Sequence, residues 1–284
     1  MASPPTISEP SLPGRTAGFT AEELDATELA AQVAIHRLGL CRWQAIDVLR
    51  LPGRGIRIRG VVERSEQIAD LRSALAGVSA IEFELAAPPE DMATVPSDIQ
   101  MRTRLEPRPP LLERRLEQYF LGQAPRDQVA RSIAEFCGRA VELAATAHSE
   151  AQALNTLAGA FSEACLQRMS AADRARFLPV AEEHIRELRQ SLAQLRVLLD
   201  RLEDGSASVE PAPLPSKWED GCHLVALRTA RMDLLIGGLF AGLDLHGLTA
   251  GQAWRELRET QERSVVLLDA AGLSLRGSLE TGNR

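Results

Sequence analysis

The chain has 284 residues, 45% of them hydrophobic and 25% charged, with a formal net charge of −7. That length has room for about two domains, and the acidic balance argues against any global attraction to nucleic acid or anionic membrane. Aromatic residues make up only 4%, so cores must be built from Leu, Ala, Val and Ile, which favours helices over sheets.

Residues 1–19 are rich in Pro, Ser and Thr and read as a disordered N-terminus. Pro4, Pro5, Pro10 and Pro13 stand where a secretory h-region would be apolar, so no export signal is visible. Thr20 followed by Glu23 is a capping box. It opens a helix carrying Leu24, Leu29, Val33, Ile35 and Leu38, which ends near Gly39. Ile46, Val48 and Arg50 then alternate with their neighbours, and Pro52-Gly53-Arg54-Gly55 turns the chain. Ile56, Ile58 and Val61 resume the alternation, Ser65 opens a short amphipathic helix, and Ile81, Phe83 and Leu85 form a third alternating run. Residues 20–87 therefore read as a small αββαβ domain, expected to fold on its own.

Residues 88–109 hold Pro88, Pro89, Pro96, Pro107 and Pro109 and read as a semi-stiff linker. Residues 110–276 contain no credible strand and read as a helical bundle with a Pro-rich loop at 205–216. A short helix over 111–121 precedes a long one from about 125 to 168, with or without a break at His148-Ser149. Ser170 and Asp173 offer caps for the next, whose stripe runs from Ile185 to Leu202. Trp218 to about Leu243 is helical, and Thr249 caps a last helix through about Leu268 that Gly272 ends. Residues 277–284 read as a disordered tail. No apolar run reaches the roughly 18 residues of a membrane span. The fold class is α+β: the small αββαβ unit followed by a larger all-α bundle.

The run from Ala21 to Ala86 resembles the BON domain. The resemblance is carried by the strand Ile46 to Leu51, then Gly55, Ile56, Ile58, Gly60, Val61 and Val62, then Ser65, Ile68, Leu71 and Leu75, then Gly77-Val78 and Ile81. In that family Ser65 would cap the helix and Gly77 would supply its left-handed end. The resemblance implies an envelope-associated bacterial binding module that takes phospholipid or another envelope partner. There is also a faint organisational resemblance to the extracytoplasmic region of bacterial anti-sigma-type regulators.

No catalytic motif competes: the chain has no Gly-x-Ser-x-Gly elbow, Walker loop or His-Glu-x-x-His. Cys41, Cys137, Cys165 and Cys222 are widely spread without finger spacing and read as buried thiols. No Glu-x-x-His pair marks a metal site in the bundle. Asp220, Cys222 and His223 have ligand-like spacing but read as a partly exposed helix start, and Glu182, Glu183, His184 and Glu187 read as a solvated helix face. No metal and no cofactor is expected. Arg57 and Arg59 share one face of a strand, with Arg54 at the adjoining turn. They read either as solvated side chains balancing Glu82 and Glu84 or as a patch for an anionic partner.

Two functions are expected in turn. The first is a non-enzymatic binding or regulatory protein that recognises a protein partner or anionic envelope component, with the bundle as a docking or self-association surface. The second is a small-molecule sensor or enzyme with a pocket inside the bundle. A buried polar cluster of converging His and acidic residues favours the second, and a wholly apolar interior favours the first.

Overall fold

The computed structural model describes residues 19–42, 45–51, 53–88, 110–202 and 213–281. The expected disordered N-terminus, most of the Pro-rich linker and most of the second Pro-rich loop lie outside them. Helix α1 (Ala21–Arg37) begins at the capping box: Thr20 Oγ1 accepts the Glu23 N–H at 3.2 Å and the Glu23 carboxylate accepts the Thr20 N–H at 2.9 Å. Strands β1 (Ala45–Leu51) and β2 (Gly55–Val61) pair antiparallel with Val48 opposite Ile58. Helix α2 (Ser65–Ala74) crosses over to β3 (Ile81–Ala86), which lies parallel to β2 with Phe83 opposite Ile58. The sheet order is β1-β2-β3.

The α1 and α2 helices cover one face of this sheet. Ala31, Ile35, Leu40, Ile56, Ile58, Leu71 and Leu75 form its buried core. Ile56 and Ile58 fall on alternate positions of β2, and neither retains any exposure. Gly55 closes the β1-β2 turn onto the end of β3 with φ +114°, where a Cβ would meet the Ala80 carbonyl oxygen at 2.1 Å. That carbonyl accepts the Ile56 N–H at 2.9 Å, so backbone contact takes the place of a side chain.

Two local expectations are corrected. Ser65 is the first helical residue of α2 rather than its cap; Arg64 holds the cap position and the Gln67 side-chain oxygen accepts its N–H at 3.1 Å. Gly77 does not adopt a left-handed conformation. The α2 helix ends at Leu75, and the positive φ before β3 falls on Ala80, at 66°.

The second part of the chain contains α3 (Glu113–Leu121), α4 (Val129–Ala160), α5 (Glu163–Arg168), α6 (Ala171–Asp200), α7 (Trp218–Ala241) and α8 (Ala250–Thr281). Helices α4, α6, α8 and α7 pack each against the next in a ring, with α3 against α4 and α5 against α8. Leu154, Leu188, Leu192, Leu195, Met232, Leu235, Leu239 and Leu257 fill the interior. Trp218 is fully buried, stacks edge-on against Phe177 and donates its indole N–H to the Phe161 carbonyl at 2.9 Å. The α4 helix runs unbroken past His148-Ser149, and Phe161-Ser162 separates it from α5. Ser170 caps α6 as expected, accepting the Asp173 N–H. The α8 helix continues through Gly272 to Thr281, so the expected stop at Gly272 and the disordered tail from 277 do not hold over these residues. Leu275 and Leu279 carry its buried stripe onward. Among the described residues, no helix is long and apolar enough to cross a membrane.

One feature of α1 positions the site. Every residue from Glu28 to Ile35 is buried. Ala30, Ala31, Ala34 and Ile35 face the sheet, while Leu29 and Val33 belong to the bundle core. The helix is shared between the two parts of the chain, and it packs against α6.

Candidate functional site

The end of α1 is a left-handed C-terminal turn. Gly39 has φ 68°, the Gly39 N–H reaches the His36 carbonyl and the Leu40 N–H reaches that of Ile35, both at 2.9 Å. This turn folds Cys41 back until its Sγ lies 3.7 Å from His36 Nδ1. The α6 helix brings His184 to the same place, with its Nε2 3.1 Å from His36 Nδ1 and the two rings edge to face. The Sγ, His36 and His184 ligand atoms all lie within 4.8 Å of one another.

Each histidine is held from behind by a carboxylate. The α4 residue Glu150, only 1% exposed, approaches His184 Nδ1 at 2.6 Å and takes the Arg42 guanidinium on its other oxygen at 2.6 Å. Glu183 approaches His36 Nε2 at 3.1 Å. Burial, then the adjacent His184, pulls the His36 pKa below its ordinary value. The hydrogen bond with His36 holds the Glu183 carboxyl below the usual carboxylate range. Burial pushes the Cys41 thiol up to about 11.

These side chains lie beside a cavity of about 420 Å³, which His36, Cys41 and His184 help to line. Gln32 and Ile35 of α1, Ile46 and Asp47 of β1, and Gln152, Ala153 and Thr156 of α4 complete much of its wall. His148 also lines it and has its Nδ1 buried without a hydrogen-bond partner. The cavity sits between the αββαβ unit and the flank of the bundle, not along the bundle axis. A second polar cluster anchors the same junction: Arg50 of β1 reaches Asp25 at 2.8 Å and Glu28 at 2.5 Å, both on α1. Burial raises the Glu28 pKa against the opposing pull of Arg50.

None of the arginines singled out in the sequence lines the cavity, although Arg59 pairs with Asp47, which does. Arg57 and Arg59 lie on the outer face of the sheet. Arg57 pairs with Glu82 at 2.8 Å and Glu84 at 3.4 Å, and Arg59 with Asp47 at 3.2 Å. Arg54 is exposed in the β1-β2 turn. Exposed pairs of this kind contribute little to stability. Arg57→Gln with Arg59→Gln is therefore expected to leave the thermal midpoint nearly unchanged, which a melting curve checks. Asp220 and His223 are exposed on α7 while Cys222 is buried, so the helix turns Cys222 away from the other two.

His184 is the residue the sequence misplaced. It reads as part of a solvated face with Glu182, Glu183 and Glu187, yet it is 1% exposed. His36 and His184 are separated by 148 positions, so no local spacing rule could join them. One signal was present: α1 carries Leu29, Ala30, Ala31, Val33, Ala34 and Ile35 at nearly every helical phase, the mark of a helix covered on more than one side.

Comparison with known protein families, curated proteins and solved structures finds no match to the chain.

Proposed function

We propose that the protein is a non-enzymatic, ligand-responsive binding protein, in which a small ligand enters the cavity between α1 and the α4-α6 face of the bundle. The observation that carries this reading is the pair of histidines, each oriented by its own carboxylate, at the wall of a cavity formed by two parts of the chain. Cavities with a few convergent polar groups and perturbed pKa values are the usual form of a small-molecule site. A ligand there touches the αββαβ unit through His36, Cys41 and Asp47 and the bundle through Gln152, Thr156 and His184. Its binding energy would then set how firmly the two are held together. The reading of residues 21–86 as a BON-like module belongs to this proposal and is supported by the order helix, strand, strand, helix, strand. In that role the outer sheet face would meet a macromolecular partner while the cavity governs the presentation of the unit.

The test is a thermal-shift screen of the full chain against small carboxylates, amino acids, nucleobases and divalent ions. Gln152 lines the cavity but is exposed on α4, so Gln152→Trp fills the mouth without disturbing the core. A ligand at about 100 times its Kd stabilises the folded chain by roughly 2.7 kcal/mol. At least one compound is expected to raise the midpoint of the wild type and to leave Gln152→Trp unmoved. Equal shifts in both chains, or none in either, contradict the proposal.

A further inference from the structure

We infer that His36 Nδ1, His184 Nε2 and Cys41 Sγ bind a divalent transition-metal ion of the zinc type, and that this ion is the first occupant of the cavity. The inference rests on the proposed cavity site and names the chemistry of its ligand.

Glu150, already bonded to the Arg42 guanidinium, presents an acceptor to His184 Nδ1, and Glu183 presents one to His36 Nε2. Each of those nitrogens therefore carries its ring's proton. The inner nitrogens are left as lone pairs facing each other at 3.1 Å. Two facing lone pairs repel unless a proton or a cation lies between them. A shared proton would bridge the two nitrogens but leaves the Cys41 sulfur, 3.7 Å from His36 Nδ1, without a part in the cluster. The Cys41 thiol can donate to His36 Nδ1 but leaves His184 Nε2 opposed.

A metal ion resolves all three groups. Zinc held tetrahedrally at about 2.0–2.1 Å from nitrogen and about 2.3 Å from sulfur sets its nitrogen ligands about 3.4 Å apart and a nitrogen-sulfur pair about 3.6 Å apart. The observed separations between His36 and its two neighbours are 3.1 Å and 3.7 Å, and all three atoms lie within 4.8 Å of one another, so the Cys41 turn closes toward His184 when the ion binds. Imidazole with thiolate is a donor set suited to zinc. Carboxylates bonded to the far nitrogens of metal-bound histidines fix the tautomer and strengthen the ligand, and Glu150 and Glu183 stand in those places. Binding takes the proton from the Cys41 thiol into solvent, forms the metal-sulfur bond, and involves no redox change. Three protein ligands leave a fourth position for water or for a molecule in the cavity.

The test uses the full chain, stripped by chelator and titrated with Co²⁺ and then Zn²⁺. One equivalent of Co²⁺ is expected to bind with a thiolate-to-cobalt charge-transfer band, and Zn²⁺ to displace it. Cys41→Ser should lose that band while keeping the metal-free melting curve. Glu183→Gln changes a half-exposed group that touches no metal, so its fold should persist. It is expected to weaken Zn²⁺ about 10–100-fold, as loss of an orienting carboxylate does. The inference is overturned if the wild type takes up less than about 0.1 equivalent, if cobalt binds without the thiolate band, or if Cys41→Ser binds Zn²⁺ as tightly as the wild type. Should the metal fail while an organic ligand still shifts the wild type and not Gln152→Trp, the shared-proton arrangement stands and the proposed cavity function survives.

Discussion

Glu150→Ala is expected to destabilise the full chain by about 1–3 kcal/mol, the cost of leaving a buried donor without its acceptor. Glu150 is almost wholly buried, and its two oxygens serve His184 and Arg42. Removing it strands an imidazole N–H inside the junction and leaves a guanidinium without its anion. It also opens space beside Ala147 and Ala151 on α4, both fully buried. Glu150→Gln keeps the volume and one acceptor and should cost clearly less. Urea unfolding of the three chains measures the order. Equal stabilities for Glu150→Ala and the wild type would mean that the buried network does not hold the junction.

Ile58→Asp is expected to unfold the αββαβ unit. Ile58 has no exposure and sits in a core shared with Ala31, Ile56, Leu71 and Leu75. An unpaired carboxylate there costs several kcal/mol, and a unit this small has little stability to spare. The bundle core is a separate cluster, reached from α1 only through Leu29 and Val33. The variant should therefore keep most of its helical circular dichroism while losing the sheet. It should also lose all cavity binding, although residue 58 does not line the cavity, because His36, Cys41 and Asp47 lose their support. Retained binding would show that the αββαβ unit contributes nothing to the site.

The local elements were legible in the sequence because each is written in neighbouring residues. The Thr20-Glu23 box, the alternation of Ile56 and Ile58, the Ser170 cap and the stripe from Leu188 to Leu199 all appear where pattern places them. The errors at Ser65 and Gly77 came from assigning cap roles by residue type. Arg64 and Gln67 close one end of α2 instead, and Leu75 closes the other. The α8 helix passed Gly272 because continued burial of Leu275 and Leu279 outweighs one glycine in a helix interior. The site was not legible, for a different reason. It needs the α1 turn, α4 and α6 side by side, and only tertiary packing of Leu29 and Val33 into the bundle brings His36 to His184. Arg57 and Arg59, which strand alternation singled out, form cross-strand pairs, while His184 lay hidden among charged helical neighbours.

Hydrogen exchange on the full chain tests the central claim most directly, that one cavity joins the αββαβ unit to the bundle and is the place where ligand acts. The chain is compared with and without Zn²⁺, and with any compound that raises its midpoint. The account predicts that added protection appears together in the end of α1 and the turn through Cys41, in α4 around residues 148–157 and in α6 around residues 180–184, and that Gln152→Trp blunts the response to an organic ligand. Protection confined to α8 or to the outer strands, with none at the α1 turn, would contradict it.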